Sequence, residues 1–162
     1  MALYNPSFKL ATKEHLKEIY AIEKTSFDAN IIIRKKDIKL ALNDNEIFIL
    51  TVKSPIFIQS NPEIVIGYCW IIRKRRYTYI QSVAISEAHR GKGYGRIIVE
   101  NVLDFINTMK YKYARLHVRE DNIAARKLYE SLGFANLKLL KHYYEHNKHG
   151  FLMEKEINVR IP

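Results

Sequence analysis

The stretch Val83-Ala84-Ile85-Ser86-Glu87-Ala88-His89-Arg90-Gly91-Lys92-Gly93-Tyr94-Gly95-Arg96 constrains this chain most, because three closely spaced glycines stand between a β-branched run and an amphipathic helical pattern. A strand, a glycine turn and a helix in that order demand a layered βα unit. Closely spaced glycines let successive N–H groups point into one concavity, and the helix that follows adds its partly positive N-terminus, so the turn suits a phosphate or pyrophosphate. Arg90, Lys92 and Arg96 add formal charge. Two familiar phosphate loops do not fit. Counting Gly-x-Gly-x-x-Gly from Gly91 puts Arg96 where the last glycine belongs, and no Gly-Lys-Ser/Thr is present. The plain alternative is a glycine-rich turn that merely opens a helix.

The rest of the chain sets this unit in a larger sheet. Residues 7–11 read as a short strand, and Thr12 as the N-cap of a helix carrying Leu16, Ile19, Tyr20 and Glu23 on neighbouring turns. A second helix is expected over about 35–42, and β-branched runs over 47–52 and 64–72 as adjacent antiparallel strands flanking a Pro-containing stretch, 54–62. The basic cluster Arg73-Lys74-Arg75-Arg76 turns the chain into a strand over 77–85. A solvated hairpin end is its preferred reading over a nucleic-acid contact. From Gly93 to Met109 the stripe Ile98, Val102, Phe105, Ile106 and Met109 marks the longest helix. A strand over 113–118 and a helix over about 123–132 follow, with Ala125, Leu128 and Leu132 on one face and Gly133 as a left-handed stop. Strands over 137–144 and 151–157 end the chain, joined by the polar link 145–150. The order βααβββαβαββ implies an α+β (mixed α/β) architecture with helices on the sheet's faces.

Composition narrows the class. With 162 residues, 48% hydrophobic and 27% charged, the sequence is neither disordered nor fibrous, and one domain over 1–162 is expected. A formal net charge of +10 means that the surface attracts anions. Charge alone does not choose between nucleotide phosphates, acidic peptides, nucleic acid and membrane headgroups. The single cysteine, Cys69, lies in the apolar run 67–72 and reads as core packing rather than a nucleophile. Residues 1–6 lack a signal-peptide pattern and no apolar run approaches the ~20 residues of a membrane span, so a cytoplasmic protein is expected, with neither membrane partner nor metal.

The turn Arg90-Gly91-Lys92-Gly93-Tyr94-Gly95 matches Arg/Gln-x-x-Gly-x-Gly/Ala. The segment 116–134, with Asn122, Ala125 and Tyr129, matches a second motif nearly position by position. On these two motifs the chain resembles the GNAT superfamily of acetyl-CoA-dependent N-acetyltransferases over roughly residues 7–157. The resemblance implies the GNAT fold: a mixed, mostly antiparallel, twisted sheet of about seven strands, splayed at its middle, with about four helices. It implies coenzyme A held by Val83, Ala84, Ile85, Arg90, Gly91, Lys92, Gly93, Tyr94, Gly95, Arg96, Asn122, Ala125 and Tyr129. Tyr129 would serve as general acid to the leaving thiolate. Read without the family, Asn122 is a helix N-cap and Tyr129 a core aromatic.

Further features are similar to the N-terminal acetyltransferases, including those acting on ribosomal-protein alanines: Leu116-His117-Val118-Arg119 before Asn122, Tyr143-Tyr144 in the last hairpin, and Ile80-Gln81-Ser82 leading into the cofactor strand. That likeness implies protein N-termini as partners, leaves room for ribosome association, and suggests Phe27, Asn30, Gln81, Tyr143 and Tyr144 as substrate-binding residues. His117 is the candidate base, acting through a water, with Tyr79 beside it. The loop 26–30 lacks the Pro-Glu or Pro-Trp pairs of those relatives, which leaves first-residue preference open. Acetylation of lysine side chains or small amines stays open as a rival, as does a non-catalytic acyl-CoA- or RNA-binding module using residues 73–76.

Overall fold

The computed structural model describes residues 5–54 and 62–157. It contains β1 (Ser7–Leu10), α1 (Leu16–Ser26), α2 (Lys35–Asn43), β2 (Ile47–Lys53), β3 (Glu63–Arg73), β4 (Tyr77–Ile85), α3 (Tyr94–Thr108), β5 (Tyr113–Arg119), α4 (Ile123–Ser131), β6 (Ala135–Tyr144) and β7 (Lys148–Glu156). The strands form one seven-stranded sheet in the order β1-β2-β3-β4-β5-β7-β6. The pairings β1–β2, β2–β3, β5–β7 and β6–β7 are antiparallel, while β4–β5 is parallel, as a mixed sheet requires. The contacts group into two compact units: the described residues up to Trp70 with Ser82–Asn101, and Ile71–Gln81 with the described residues from Val102 on.

In the first unit, Thr12 caps a short 3-10 turn rather than α1 itself, its N–H donating to His15 Nδ1 at 3.0 Å, and α1 follows directly. α1 buries Ile19, Ile22 and Glu23, and α2 buries Ile38, Ala41 and Leu42. These side chains pack with Ile47, Ile49, Val65 and Tyr68. Burial of each such isoleucine stabilises by roughly 1.5–3 kcal/mol. Cys69 is fully buried and burial pushes its thiol far above the usual range, so it is held as a neutral thiol in the packing. The expected Pro-containing link falls largely on residues 55–61, and the reading of the N-terminus partly on residues 1–4, both outside the described residues.

In the second unit, β4 and β5 alternate cleanly. Thr78, Ile80, Ala114, Leu116 and Val118 are buried, whereas Tyr77, Tyr79, Tyr113, Arg115, His117 and Arg119 take the other face. Parallel pairing runs from Tyr77↔Tyr113 to Ile80↔Leu116 and no further, although β4 continues to Ile85 and β5 to Arg119.

The last two strands start earlier than expected. β6 starts at Ala135 and β7 at Lys148, so the link expected over 145–150 shrinks to residues 145–147. His146 and Asn147, at φ 56° and 58°, form a tight turn whose twist matches an antiparallel hairpin. The added residues include the exposed Ala135 and Asn136 of the edge strand β6 and the polar Lys148 and His149 of β7, which resemble a loop in sequence. In α3 the fully buried side chains are Ile98, Val99, Val102 and Ile106, with Leu103 nearly so; Phe105 and Met109 are half-buried at the margin.

Candidate active site

The glycine turn belongs to the first unit. After Ile85, the Ser86 N–H is tied to Ile66 O at 2.8 Å, a 3-10 turn covers Glu87–His89, and Gly91 and Gly93 adopt φ 71° and 82° before α3 begins at Tyr94. A Cβ at either glycine would meet nothing within 4 Å, so it is the left-handed backbone and not a lack of space that requires glycine. Ile97 N–H returns to Gly93 O at 3.2 Å, which makes Gly93 the helix cap. The N–H groups of Tyr94, Gly95 and Arg96 therefore lack partners inside α3, and together with the helix dipole they suit an anion. Gly93→Val should introduce roughly 1–3 kcal/mol of backbone strain at this turn. The expected result is acetyl-CoA affinity weakened about tenfold or more by calorimetry, with an unchanged far-ultraviolet circular dichroism spectrum.

The cations around the turn are held by the turn's own framework. Arg90 donates from Nε to Ile85 O (2.9 Å) and from Nη2 to Ser26 Oγ (2.9 Å), bracing the turn against the end of α1. Lys92 Nζ donates to Ala88 O at 2.9 Å and Arg96 pairs with Glu100 at 3.1 Å. Their charge remains near the N–H groups. Sequence gave its sign but not its orientation. Ala84 is buried, so it has only backbone to offer; Val83 and Ile85 alternate to the opposite face.

Phe27 and Asn30 lie beyond α1. Phe27 is half-buried against the first unit's core, its N–H bonded to Glu23 O at 3.2 Å, while Asn30 is exposed. Glu23, which sequence reading placed on the helix stripe without a role, is fully buried and accepts from Ile33 N–H (2.8 Å) and from the Tyr68 hydroxyl, which also meets Ser82 Oγ (2.9 Å). A carboxylate on an apolar stripe was the available signal.

The second unit carries the proton-handling groups. The hydroxyls of Tyr79 and Tyr143 both lie 2.9 Å from one atom, His117 Nδ1. Their rings meet the imidazole edge-on, with centroids 5.3 Å and 4.8 Å away. Burial lowers the His117 pKa below the ordinary imidazole value, favouring the neutral base. Burial, with Tyr143 and Tyr144 nearby, raises that of Tyr79, which therefore stays a protonated donor. Tyr144 packs edge-on to Tyr143 at 5.1 Å and is pushed up to about 12, first by burial and then by Tyr143. Gly150 permits this arrangement, because a Cβ there would come within 2.6 Å of the Tyr144 ring and 3.2 Å of Val118 O. The lone glycine signals such a close approach. Placing Gly150 in a loop concealed that role. Gln81 is exposed, two residues beyond Tyr79 on the same face of β4.

Asn122 caps α4, its side chain accepting from Ala125 N–H at 3.2 Å, and Ala125 is half-buried. Tyr129 is half-buried on the last turn of α4, its ring edge-on to Phe134 at 5.7 Å and its carbonyl accepting from Phe134 N–H at 3.0 Å. Gly133, at φ 88°, ends that helix as expected. Among the described residues no group of three or more metal-ligating side chains gathers, and no helix is long and apolar enough to cross a membrane.

The family model described as "Acetyltransferase (GNAT) family" matches residues 14–134. The N-alpha-acetyltransferase RimI of Mycobacterium tuberculosis is 35% identical over 83 residues, covering 49% of this chain and 51% of the relative. A ribosomal protein bS18-alanine N-acetyltransferase of Salmonella typhimurium is 35% identical over 63 residues, covering 39% and 43%. These matches thus span about half the length of the curated relatives. The crystal structure of the ribosomal-protein-S18-alanine N-acetyltransferase from Escherichia coli superposes with a TM-score of 0.79 at 20% identity, covering 94% of each chain, and so supports the fold.

Proposed function

Because the chain belongs to the GNAT acetyltransferase family, we propose that it transfers the acetyl group of acetyl-CoA directly to the N-terminal α-amine of a peptide or protein. The observation that carries this reading is the convergence of two phenols on a neutral His117. A nucleophilic amine must first lose its proton. An α-amine, with a reference pKa of ~7.7–8.0, does so about 3 kcal/mol more easily than a lysine amine at ~10.4. A weak base relayed through hydroxyls is sufficient for the first and poorly matched to the second.

On this reading acetyl-CoA supplies the activated acyl group, and the residues divide the remaining work. The Gly91–Gly95 turn and the start of α3 bind the linked phosphates, helped by the charge of Arg90, Lys92 and Arg96. The backbone of Val83, Ala84 and Ile85 and the residues Asn122 and Ala125 hold the arm, and the Val83 N–H stabilises the developing oxyanion. His117 takes the amine proton, Tyr79 orients it, and Tyr129 protonates the departing thiolate. Phe27, Asn30, Gln81, Tyr143 and Tyr144 contact the peptide. The buried neutral thiol of Cys69 argues against a covalent acetyl-enzyme.

The test is thiol release on a panel of peptides with free N-termini beside N-blocked peptides whose only amine is lysine. The free N-terminal peptides should turn over at least tenfold faster, with intersecting double-reciprocal plots for the two substrates. Equal or faster turnover of the lysine peptides would refute the α-amine assignment.

A further inference from the structure

The basic turn 73–76, which the acetyl-transfer reading leaves unused, shares a surface notch with a second segment distant in sequence. Arg75 and Arg76 line this cavity of about 450 Å³ together with Lys110, Tyr111, Lys112 and Tyr113. All four cations are exposed. Lys110 sits at φ 61°, the left-handed stop that turns the chain out of α3, and Lys112 lies over the Tyr113 ring with Glu156 3.7 Å away. Among the described residues Arg75, Arg76 and Lys110 have no ion pair. The dipole at the end of α3 gives a reason for a cation at 110, just past Thr108. It gives no reason for Arg75 and Arg76, which arrive from the β3–β4 turn.

We propose that this notch is a docking site for single-stranded RNA, its four cations on phosphates and Tyr111 offering its ring to a base. Three cations without an ion pair among the described residues, and a fourth, Lys112, that pairs only at 3.7 Å, stand interleaved with aromatic rings, an arrangement that binds single strands without sequence preference. An acidic peptide would use the cations and leave the rings idle. A bilayer would need protruding apolar anchors, and Met109, which also lines the notch, is half-buried rather than protruding. The placement is compatible with catalysis. Tyr77 and Tyr113 open the parallel strands β4 and β5, whereas His117 lies four residues along β5, roughly 13 Å away at ~3.3 Å per residue.

The test uses the full chain and a short fluorescently labelled uridine-rich RNA, read by anisotropy from about 50 to 200 mM salt. The slope of log K against log salt should be about −3, at roughly 0.7 per phosphate for four contacts. Arg75→Ala/Arg76→Ala/Lys110→Ala should flatten it by about 2 and weaken binding roughly a hundredfold at 0.1 M salt, with acetyl-CoA affinity and peptide turnover unchanged. Tyr111→Ala should weaken binding about fivefold or more at every salt concentration without altering the slope. The control Lys17→Ala/Lys36→Ala/Lys39→Ala, which removes equal charge elsewhere, should bind as the parent does. No binding at low salt, equal losses in the notch and control variants, or notch-dependent binding to phosphatidylserine vesicles in place of RNA would each overturn the proposal.

Discussion

His117→Ala should lower kcat/KM for a free N-terminal peptide by about a hundredfold to a thousandfold while leaving acetyl-CoA affinity unchanged. Its pH profile is the sharper readout. Burial lowers the His117 pKa, so the base is neutral above that depressed value and protonated below it. The peptide amine loses its own proton only near pH ~7.7–8.0. In the parent enzyme log(kcat/KM) should rise with a slope of about two below the His117 pKa, about one up to the amine pKa, and level off above it. In the variant the steep lowest segment vanishes and a slope of about one remains. Persistence of that segment in His117→Ala would assign the base elsewhere. Tyr79→Phe and Tyr143→Phe should each cost only about tenfold, because either change leaves Nδ1 one hydroxyl at 2.9 Å. The double variant should approach His117→Ala.

Much of this frame was legible where local chemistry alone decides the outcome. The β-branched runs of β2, β3 and β4 and the left-handed stop at Gly133 each rest on a short-range rule, and they appear where expected. Asn122 capping α4 is of the same kind. What sequence conceals is the partner of a side chain that reaches far along the chain. Arg90 reads as a charge beside a phosphate site, and nothing local shows that its guanidinium also braces Ser26, 64 residues away. Tyr79 and Tyr143 lie 38 and 26 residues from the nitrogen they share, so their convergence depends on the order β4-β5-β7-β6, which no local pattern states. The β6–β7 hairpin escaped its true boundaries because β6 is exposed on both faces for most of its length, so burial imposes no alternation on it, and β7 opens on the polar pair Lys148-His149.

Glu23→Ala should destabilise the protein by about 2–4 kcal/mol in urea unfolding, a large share of the ~5–15 kcal/mol available to a domain. It removes a fully buried side chain and strands two donors, the Ile33 N–H and the Tyr68 hydroxyl, of which the second keeps only Ser82. Glu23→Gln separates charge from shape. Desolvation raises the Glu23 pKa, outweighing the hydrogen bonds from Tyr68 and Ile33 that lower it. A carboxyl whose folded pKa exceeds its unfolded value contributes stability that is fully present below the unfolded value, ~4.3, and lost as pH rises through the folded one. The parent should therefore lose stability relative to Glu23→Gln as pH rises from about 4, levelling off once Glu23 is ionised in the folded protein. A difference that is flat across that window, or that grows in the parent's favour, would mean the carboxylate is better solvated than its burial implies. Ile33 closes the segment that carries Phe27 and Asn30, so Glu23→Ala should also raise the peptide KM more than it lowers kcat. Glu23→Gln, which keeps an acceptor for Ile33, should leave KM near the parent value, tying the effect to that hydrogen bond rather than to stability.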